Sequence, residues 1–203
     1  DAKEEEAVEG MQEEAHECGH AHHEAEYDEH VWLSLRNAET ISRAIADALC
    51  EADPAHAETY RANADAYIAQ LADLDAQYAD MVRHAARTAI LFADRFPFRY
   101  LADDYGLTYY AAFAGCSAET EASFKTIAFL AKKVDELNLP AVLAIEGGNH
   151  AIAETVVAST QAKDQVILSV NSLQSMTEAD VQRGESYLSV MTQNLAILTH
   201  ALN

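Results

Sequence analysis

The chain has 203 residues, half of them hydrophobic, and a formal net charge of -21 at pH 7. That length suits one domain or one and a half, with enough apolar residues for a core. So negative a balance excludes nucleic acid and anionic membrane surfaces as natural partners and favours cations or a basic protein.

Residues 1–29 are expected to form a flexible, acidic, His-rich loop. The first thirty residues hold twelve Asp and Glu and a single base, Lys3, too little apolar surface to offset the entropy of ordering. Five of the nine histidines fall there: His16, His20, His22, His23 and His30. Imidazole is the commonest borderline-soft metal ligand, and the carboxylates between these histidines attract a divalent cation. The segment therefore reads as a chelator of transition metal. Cys18 lies among the histidines as a further donor or an exposed thiol. The acidic run ends at His30-Val31-Trp32-Leu33-Ser34, where an apolar step begins and Trp32 can anchor the imidazole.

A helix follows over 37–51, with Ala38, Ile41, Ile45, Ala48 and Leu49 as its inward face. Cys50 on that helix suits a small core residue. Asp53-Pro54 is a helix start signal, and nothing breaks the pattern until about Arg87. Tyr60, Tyr67, Ile68, Leu71, Leu74, Tyr78, Met81 and Val82 form its apolar stripe. A helix over 54–87 would be ~45–50 Å long, which exceeds one small domain and suits a bridge between two lobes.

From 88 onward strands alternate with helices. Strands are expected at 88–92, 107–113, 140–145 and 166–170, and helices at 96–105, 119–137, 150–161 and about 184–202. This order defines an α/β fold, a parallel sheet flanked by helices on both faces. Ligands in such sheets sit beyond the carboxyl ends of strands, here Asp94, Gly115 to Ser117, Glu146 and Asn171. Glu119 and Glu121 suit a helix N-terminus capped by Ser117. Cys116 has no histidine base placed near it, and neither a Gly-x-Ser-x-Gly nor a phosphate-cradling loop is present. The chain is therefore not expected to be an enzyme. Three cysteines make no disulfide framework. No run is long enough to span a membrane, and no secretory signal is present in the sequence. The start at Asp1 suggests a processed or partial product.

Asp28-Glu29-His30-Val31-Trp32-Leu33-Ser34 resembles the Asp-Pro-His-Val-Trp-Leu-Ser motif of the zinc/manganese solute-binding receptors of ABC transporters, which carry a His- and acid-rich loop just before it. The likeness continues through the long helix and Phe98-Arg99-Tyr100-Leu101-Ala102-Asp103-Asp104-Tyr105-Gly106-Leu107. It then reaches Ser117-Ala118-Glu119-Thr120-Glu121-Ala122-Ser123, Ile152-Ala153-Glu154-Thr155-Val156 and Tyr187-Leu188-Ser189-Val190-Met191-Thr192-Gln193-Asn194-Leu195. It covers nearly the whole chain in order.

The resemblance implies two α/β lobes joined by one rigid helix, with metal in the cleft. The chain then divides into the loop (1–29), a remnant of the first lobe (30–53), the bridging helix (54–87) and the C-terminal lobe (88–203). Most of the first lobe, including its histidine ligand, is absent and would come from another chain or another part of the precursor. The resemblance places a second ligand at His30. Its third falls on Arg95, which cannot bind a cation, so Asp94 is the candidate. Its fourth falls on Asn171, a neutral oxygen donor. Glu146 offers a compensating carboxylate, and His150 is either a further donor or a surface residue at a helix start.

The function implied is capture of a divalent transition metal, Zn2+ first and Mn2+ second, for delivery to an ABC permease. The loop histidines would raise the local metal concentration. The implied location is extracytoplasmic, in the periplasm or on a cell-surface lipoprotein. Two alternatives are a metal buffer or chaperone using the 16–30 segment alone, and a metal-dependent hydrolase.

Overall fold

The computed structural model describes residues 3, 7–12, 27–115 and 121–203. His16, His20, His22, His23, Cys18, Cys116, Ser117 and Glu119 lie outside the described residues.

A single 3-10 turn, Val31–Leu33, leads from His30 into helix α1, Leu35–Ala52. Ser34 caps this helix, its hydroxyl accepting a hydrogen bond from the Asn37 backbone and satisfying one of the free amides of the first turn. A second 3-10 turn, Pro54–His56, precedes helix α2, Ala57–His84. The helix expected over 54–87 is thus shorter at both ends. Asp53 does not cap the backbone, because its carboxylate is taken by the His56 ring and the Tyr60 hydroxyl. At 28 residues, α2 is about 42 Å long.

The face of α1 expected to be core is not. Ile41, Ile45 and Leu49 are exposed, while Leu35, Ala46 and Cys50 are buried. The two sets lie roughly a quarter turn apart around the helix. Apolar periodicity found a genuine face, but the contact with α2 uses its neighbour.

Seven further helices and strands carry the chain to β4. They are β1 (Ala89–Arg95), α3 (Arg99–Tyr105), β2 (Thr108–Phe113), α4 (Phe124–Leu137), β3 (Ala141–Ile145), α5 (Ala151–Ser159) and β4 (Val166–Val170). Two helices close it, α6 (Glu178–Gln182) and α7 (Tyr187–Leu202). The four strands form one parallel sheet in the order β2-β1-β3-β4. Alternate residues bury on opposite faces. Ile90, Phe92 and Leu143 join Leu71, Leu74 and Tyr78 of α2 and Met191, Leu198 and Leu202 of α7. Leu91, Ala93 and Val142 pack on the other side with α4 and α5 through Leu130, Val134, Ala153 and Val156.

Three boundaries differ from expectation for local reasons. Strand β1 runs on to Arg95, so Asp94 lies within it. Helix α4 begins at Phe124 because the Ser123 side chain caps it. The last helix starts at Tyr187 rather than about 184, because Gly184 at φ 89° turns the chain before Ser186 and Ser189 cap α7; a short helix that was not expected, α6, precedes it, started by a capping box between Thr177 and Asp180.

From β1 the chain moves to β2 on one side of the sheet, and β3 and β4 lie on the other side of β1. The carboxyl ends of β1 and β3 therefore flank a topological switch point, the usual place for a ligand crevice. The stretch that seats α2 against α7 is testable. The buried Tyr78 hydroxyl donates to the Met191 carbonyl at 2.7 Å, and its ring stacks on Tyr105 at 5.2 Å; burial pushes its phenol pKa well up. Tyr78→Phe is expected to lower unfolding free energy in urea by about 1 kcal/mol, and Tyr78→Ala by about 3–5 kcal/mol.

Candidate functional site

The site starts from a buried charge. Asp28 and His30 have fully buried side chains, and Asp28 Oδ1 lies 2.7 Å from His30 Nδ1. The same oxygen accepts the His30 backbone N–H at 2.9 Å. Asp28 Oδ2 is 3.4 Å from Nε of Arg99, at the start of α3. The Tyr100 hydroxyl donates to the Asp28 carbonyl, and the Asp28 N–H donates to the Lys3 carbonyl. A carboxylate survives burial only when paired and hydrogen-bonded: here Oδ1 carries the side-chain hydrogen bonds, while the buried Oδ2 accepts none among the described residues and relies on the Arg99 charge.

Asp28 also decides what His30 can do. A carboxylate at Nδ1 holds the proton on that nitrogen and leaves Nε2 as the acceptor, the tautomer that ligates metals. Trp32 fixes the ring from the side, its centroid 5.4 Å away. The indole N–H donates to the Ser172 carbonyl at 3.1 Å, and the Trp32 carbonyl accepts from Tyr187 of α7 at 2.7 Å. The His30–Ser34 segment is thereby tied to the loop after β4 and to the last helix.

That loop forms the opposite wall. Asn194, buried on α7, donates to the Asn171 carbonyl and accepts from the Asn171 N–H. The Asn171 side-chain oxygen accepts from the Leu173 N–H at 2.8 Å, closing a turn in which Leu173 adopts φ 63°. Glu146, just beyond β3, accepts from both the N–H and the hydroxyl of Ser172 at 2.8 and 2.7 Å. Gln174 then reaches back so that its side-chain nitrogen lies 2.6 Å from His30 Nε2.

Asp94 sits on the other side of the switch point. Its carboxylate accepts from the Arg95 and Ile145 backbone amides at 2.8 and 3.2 Å. A cavity of about 400 Å³ opens there, lined by Asp94, Arg95, Glu146, Gly148, His150 and Ser175 among others. His150 takes a left-handed conformation at φ 55° and contacts the Ser169 hydroxyl through Nε2. The structure thus brings Asp94, Glu146 and His150 to one cavity and links Glu146 to the His30 side through Ser172. Asn171 shapes the loop between them. Among the described residues, no three His, Cys, Asp or Glu side chains converge closely enough to hold a metal ion.

Gln174, Ser172, Asn194 and Arg99 do not stand out in the sequence as site residues. The signal available for Gln174 and Ser172 is position alone, since both follow the carboxyl end of β4 within four residues. Arg99 is a buried base at the start of a helix, which only the structure pairs with Asp28.

A parallel α/β sheet with a long helix packed on it, and a buried, oriented histidine beside the switch-point crevice, have the fold of a solute-binding receptor. The chain belongs to the ZnuA family, zinc-uptake complex component A, periplasmic, whose profile it matches over residues 1–201. It is 36% identical to the zinc-binding lipoprotein AdcA of Streptococcus pneumoniae over 183 residues, 90% of this chain and 36% of that protein. It is 31% identical to the high-affinity zinc uptake system protein ZnuA of Bacillus subtilis over 175 residues, 86% of this chain and 53% of that protein. The chain therefore spans about a third to a half of the length of these relatives. Among solved structures, the Zn(II)-bound ZnuA-like domain of S. pneumoniae AdcA superposes with a TM-score of 0.71 at 34% identity, covering 87% of this chain and 64% of that one. The metal-dependent lipoprotein YcdH of B. subtilis gives 0.74 at 29% identity, with 87% and 64% covered. The α/β receptor fold implied by the His-Val-Trp-Leu-Ser motif is the fold observed.

Asp28→Ala removes the carboxylate that His30 and Arg99 share. We expect it to cost about 3 kcal/mol or more of folding stability, read as a lowered urea midpoint. An unchanged midpoint would mean that the buried pair does not hold this end of the lobe.

Proposed function

We propose that the chain captures a divalent transition metal, zinc ahead of manganese, outside the cytoplasm and delivers it to the membrane permease of an ABC transporter. The observation that carries this reading is His30: a wholly buried imidazole held in one tautomer by Asp28, with its metal-ligating nitrogen turned to the loop after β4. The family description and the zinc-binding names of the relatives support it. The metal is cargo, so capture and release matter and no bond in a substrate is broken. Membership of a receptor family weighs against the hydrolase alternative.

In this reading His30 supplies the nitrogen, and Glu146, Asp94 and Asn171 are the oxygen donors nearest the switch point. Zinc takes about four N, O or S ligands at ~2.0–2.3 Å, so side chains of the crevice have to draw together around the ion. His16, His20, His22 and His23 would collect metal loosely and feed it inward. Residues 30–53 are the remnant of a first lobe, α2 is the bridge, and 88–203 is the second lobe. The exposed Ile41, Ile45 and Leu49 on α1 suit a face that the rest of a first lobe covers, whether from another chain or from another part of a longer precursor. Relatives described as lipoproteins and periplasmic proteins favour the periplasm or the cell surface.

The reading separates from the buffer alternative by calorimetric zinc titration. His30→Ala is expected to weaken the tightest site by about a hundred-fold or more, since losing even an outer-shell partner of a ligand costs about 10–100-fold. Replacing His16, His20, His22 and His23 by Ala should leave that site intact and remove only weaker binding. The reverse pattern would assign binding to the loop. Acidification is expected to weaken the tight site, because imidazolium cannot ligate; the same titration at two pH values measures this.

A further inference from the structure

We infer that Tyr100 and Lys3 are positioning residues for His30: through the Tyr100 hydroxyl the acidic N-terminal arm is spliced to the backbone of Asp28, and docking of the arm sets the ring. What that ring does for metal capture rests on the proposed function; its orientation does not. Among the described residues of the arm, Lys3, Val8, Met11 and Gln12 all contact the lobe. Val8 and Met11 pack on the main core. The Gln12 N–H donates to the Ala112 carbonyl of β2 at 2.9 Å, and the Gln12 side-chain oxygen accepts the Ser123 N–H at 2.8 Å.

At Lys3 the arm lies against Asp28. The Asp28 N–H donates to the Lys3 carbonyl at 2.9 Å. In a regular strand pair a second bond runs straight back. Here the Tyr100 hydroxyl is inserted into it, accepting the Lys3 N–H at 3.0 Å and donating to the Asp28 carbonyl at 2.9 Å. A hydroxyl has one donor and two acceptor sites, so it makes both bonds at once. Tyr100 is buried, which keeps water from taking its place. The Lys3 ammonium pairs with Asp103, about one turn further along α3, and lies 5.9 Å from the centroid of the Tyr100 ring. This gives a physical reason for the one base among the first thirty residues: a carboxylate at that position would face Asp103. Neighbouring residues of α3 thus grip Asp28 from two sides, Tyr100 by its backbone and Arg99 by its carboxylate. Asp28 in turn holds the His30 backbone N–H and ring Nδ1 through one oxygen. Slack in the Asp28 backbone therefore passes into the bond that keeps the proton on Nδ1.

The test uses the full chain and three variants. Tyr100→Phe removes the inserted hydroxyl and keeps the ring. Lys3→Glu sets a carboxylate against Asp103 at a partly exposed side chain, so the lobe still folds. Tyr78→Phe also removes a buried tyrosine hydroxyl and controls for a general loss of stability. Metal-free protein is followed by amide hydrogen exchange at Asp28 and by 15N NMR of the His30 ring at a single pH. Tyr100→Phe and Lys3→Glu are each expected to speed Asp28 exchange about three- to ten-fold relative to the slowest core amides, the scale of one net hydrogen bond. Both should draw the two ring-nitrogen resonances together as the tautomers mix. The double variant should do no more than Tyr100→Phe alone, because both changes open one clamp, and Tyr78→Phe should leave both signals in place. Zinc affinity, read by chelator competition, should fall about three- to ten-fold in Tyr100→Phe, less than the roughly 10–100-fold for a direct partner of a ligand. Unmoved Asp28 exchange and ring resonances in both variants would overturn the inference, as would equal changes in Tyr78→Phe. Ring resonances that move while zinc affinity holds, in a protein that does lose affinity with His30→Ala, would overturn the link to capture. Failure of the proposed function looks different: zinc affinity would be indifferent to His30→Ala, and the metal-free signals alone would decide whether the arm positions the ring.

Discussion

The site depends on one buried carboxylate. Asp28 sits between the His30 ring and the Arg99 guanidinium with no exposed side-chain surface. Its two oxygens do separate work: Oδ1 orients an imidazole, and Oδ2 faces the positive charge that makes burial tolerable. Because Arg99 opens α3, and Tyr100 beside it holds the Asp28 carbonyl, the segment carrying the histidine is locked to the first crossover of the sheet. Trp32 and Tyr187 lock its other end to the loop after β4 and to α7. A residue that follows a highly acidic run thus acquires a fixed position, a fixed tautomer and a fixed direction.

Two carboxylates lie at the switch point beside it. Asp94 and Glu146 lie at the ends of adjacent parallel strands, where the chain reverses its direction of travel across the sheet. Each is occupied by backbone or hydroxyl donors of its own lobe. On the proposed function this division would suit capture followed by release: the preorganised nitrogen would recognise the ion, and carboxylates that trade one set of hydrogen bonds for metal bonds would set how tightly it is kept. A site with every ligand locked in advance would bind more strongly and let go more slowly.

Much of the architecture was legible because parallel sheets announce themselves. The runs at Ala89–Ala93 and Ala141–Ile145 are apolar on both faces, as strands covered by helices on both sides must be. His30 stood out as a candidate through its motif and through the change from acidic to apolar sequence, and the structure shows it buried. Other features were hidden for physical reasons. Periodicity on α1 reports that Ile41, Ile45 and Leu49 share a face but not what covers it. The Asp53-Pro54 signal marks a start, yet cannot tell that His56 and Tyr60 compete for the carboxylate. Gln174 carries no charge and no pattern, and its meeting with His30 spans 144 residues of sequence. Asn171 stands at the right end of β4, but whether its side chain points at an ion or closes a turn is a matter of backbone geometry no spacing rule encodes.

Diffraction at the zinc absorption edge from crystals of the zinc-loaded chain is the most direct measurement. The account predicts an anomalous peak ~2.0–2.1 Å from His30 Nε2, with the Asp28 bond to Nδ1 retained and at least one crevice carboxylate drawn onto the ion. Zinc bound only at the acidic N-terminal histidines, with the His30 ring still shut in by its neighbours, would contradict it.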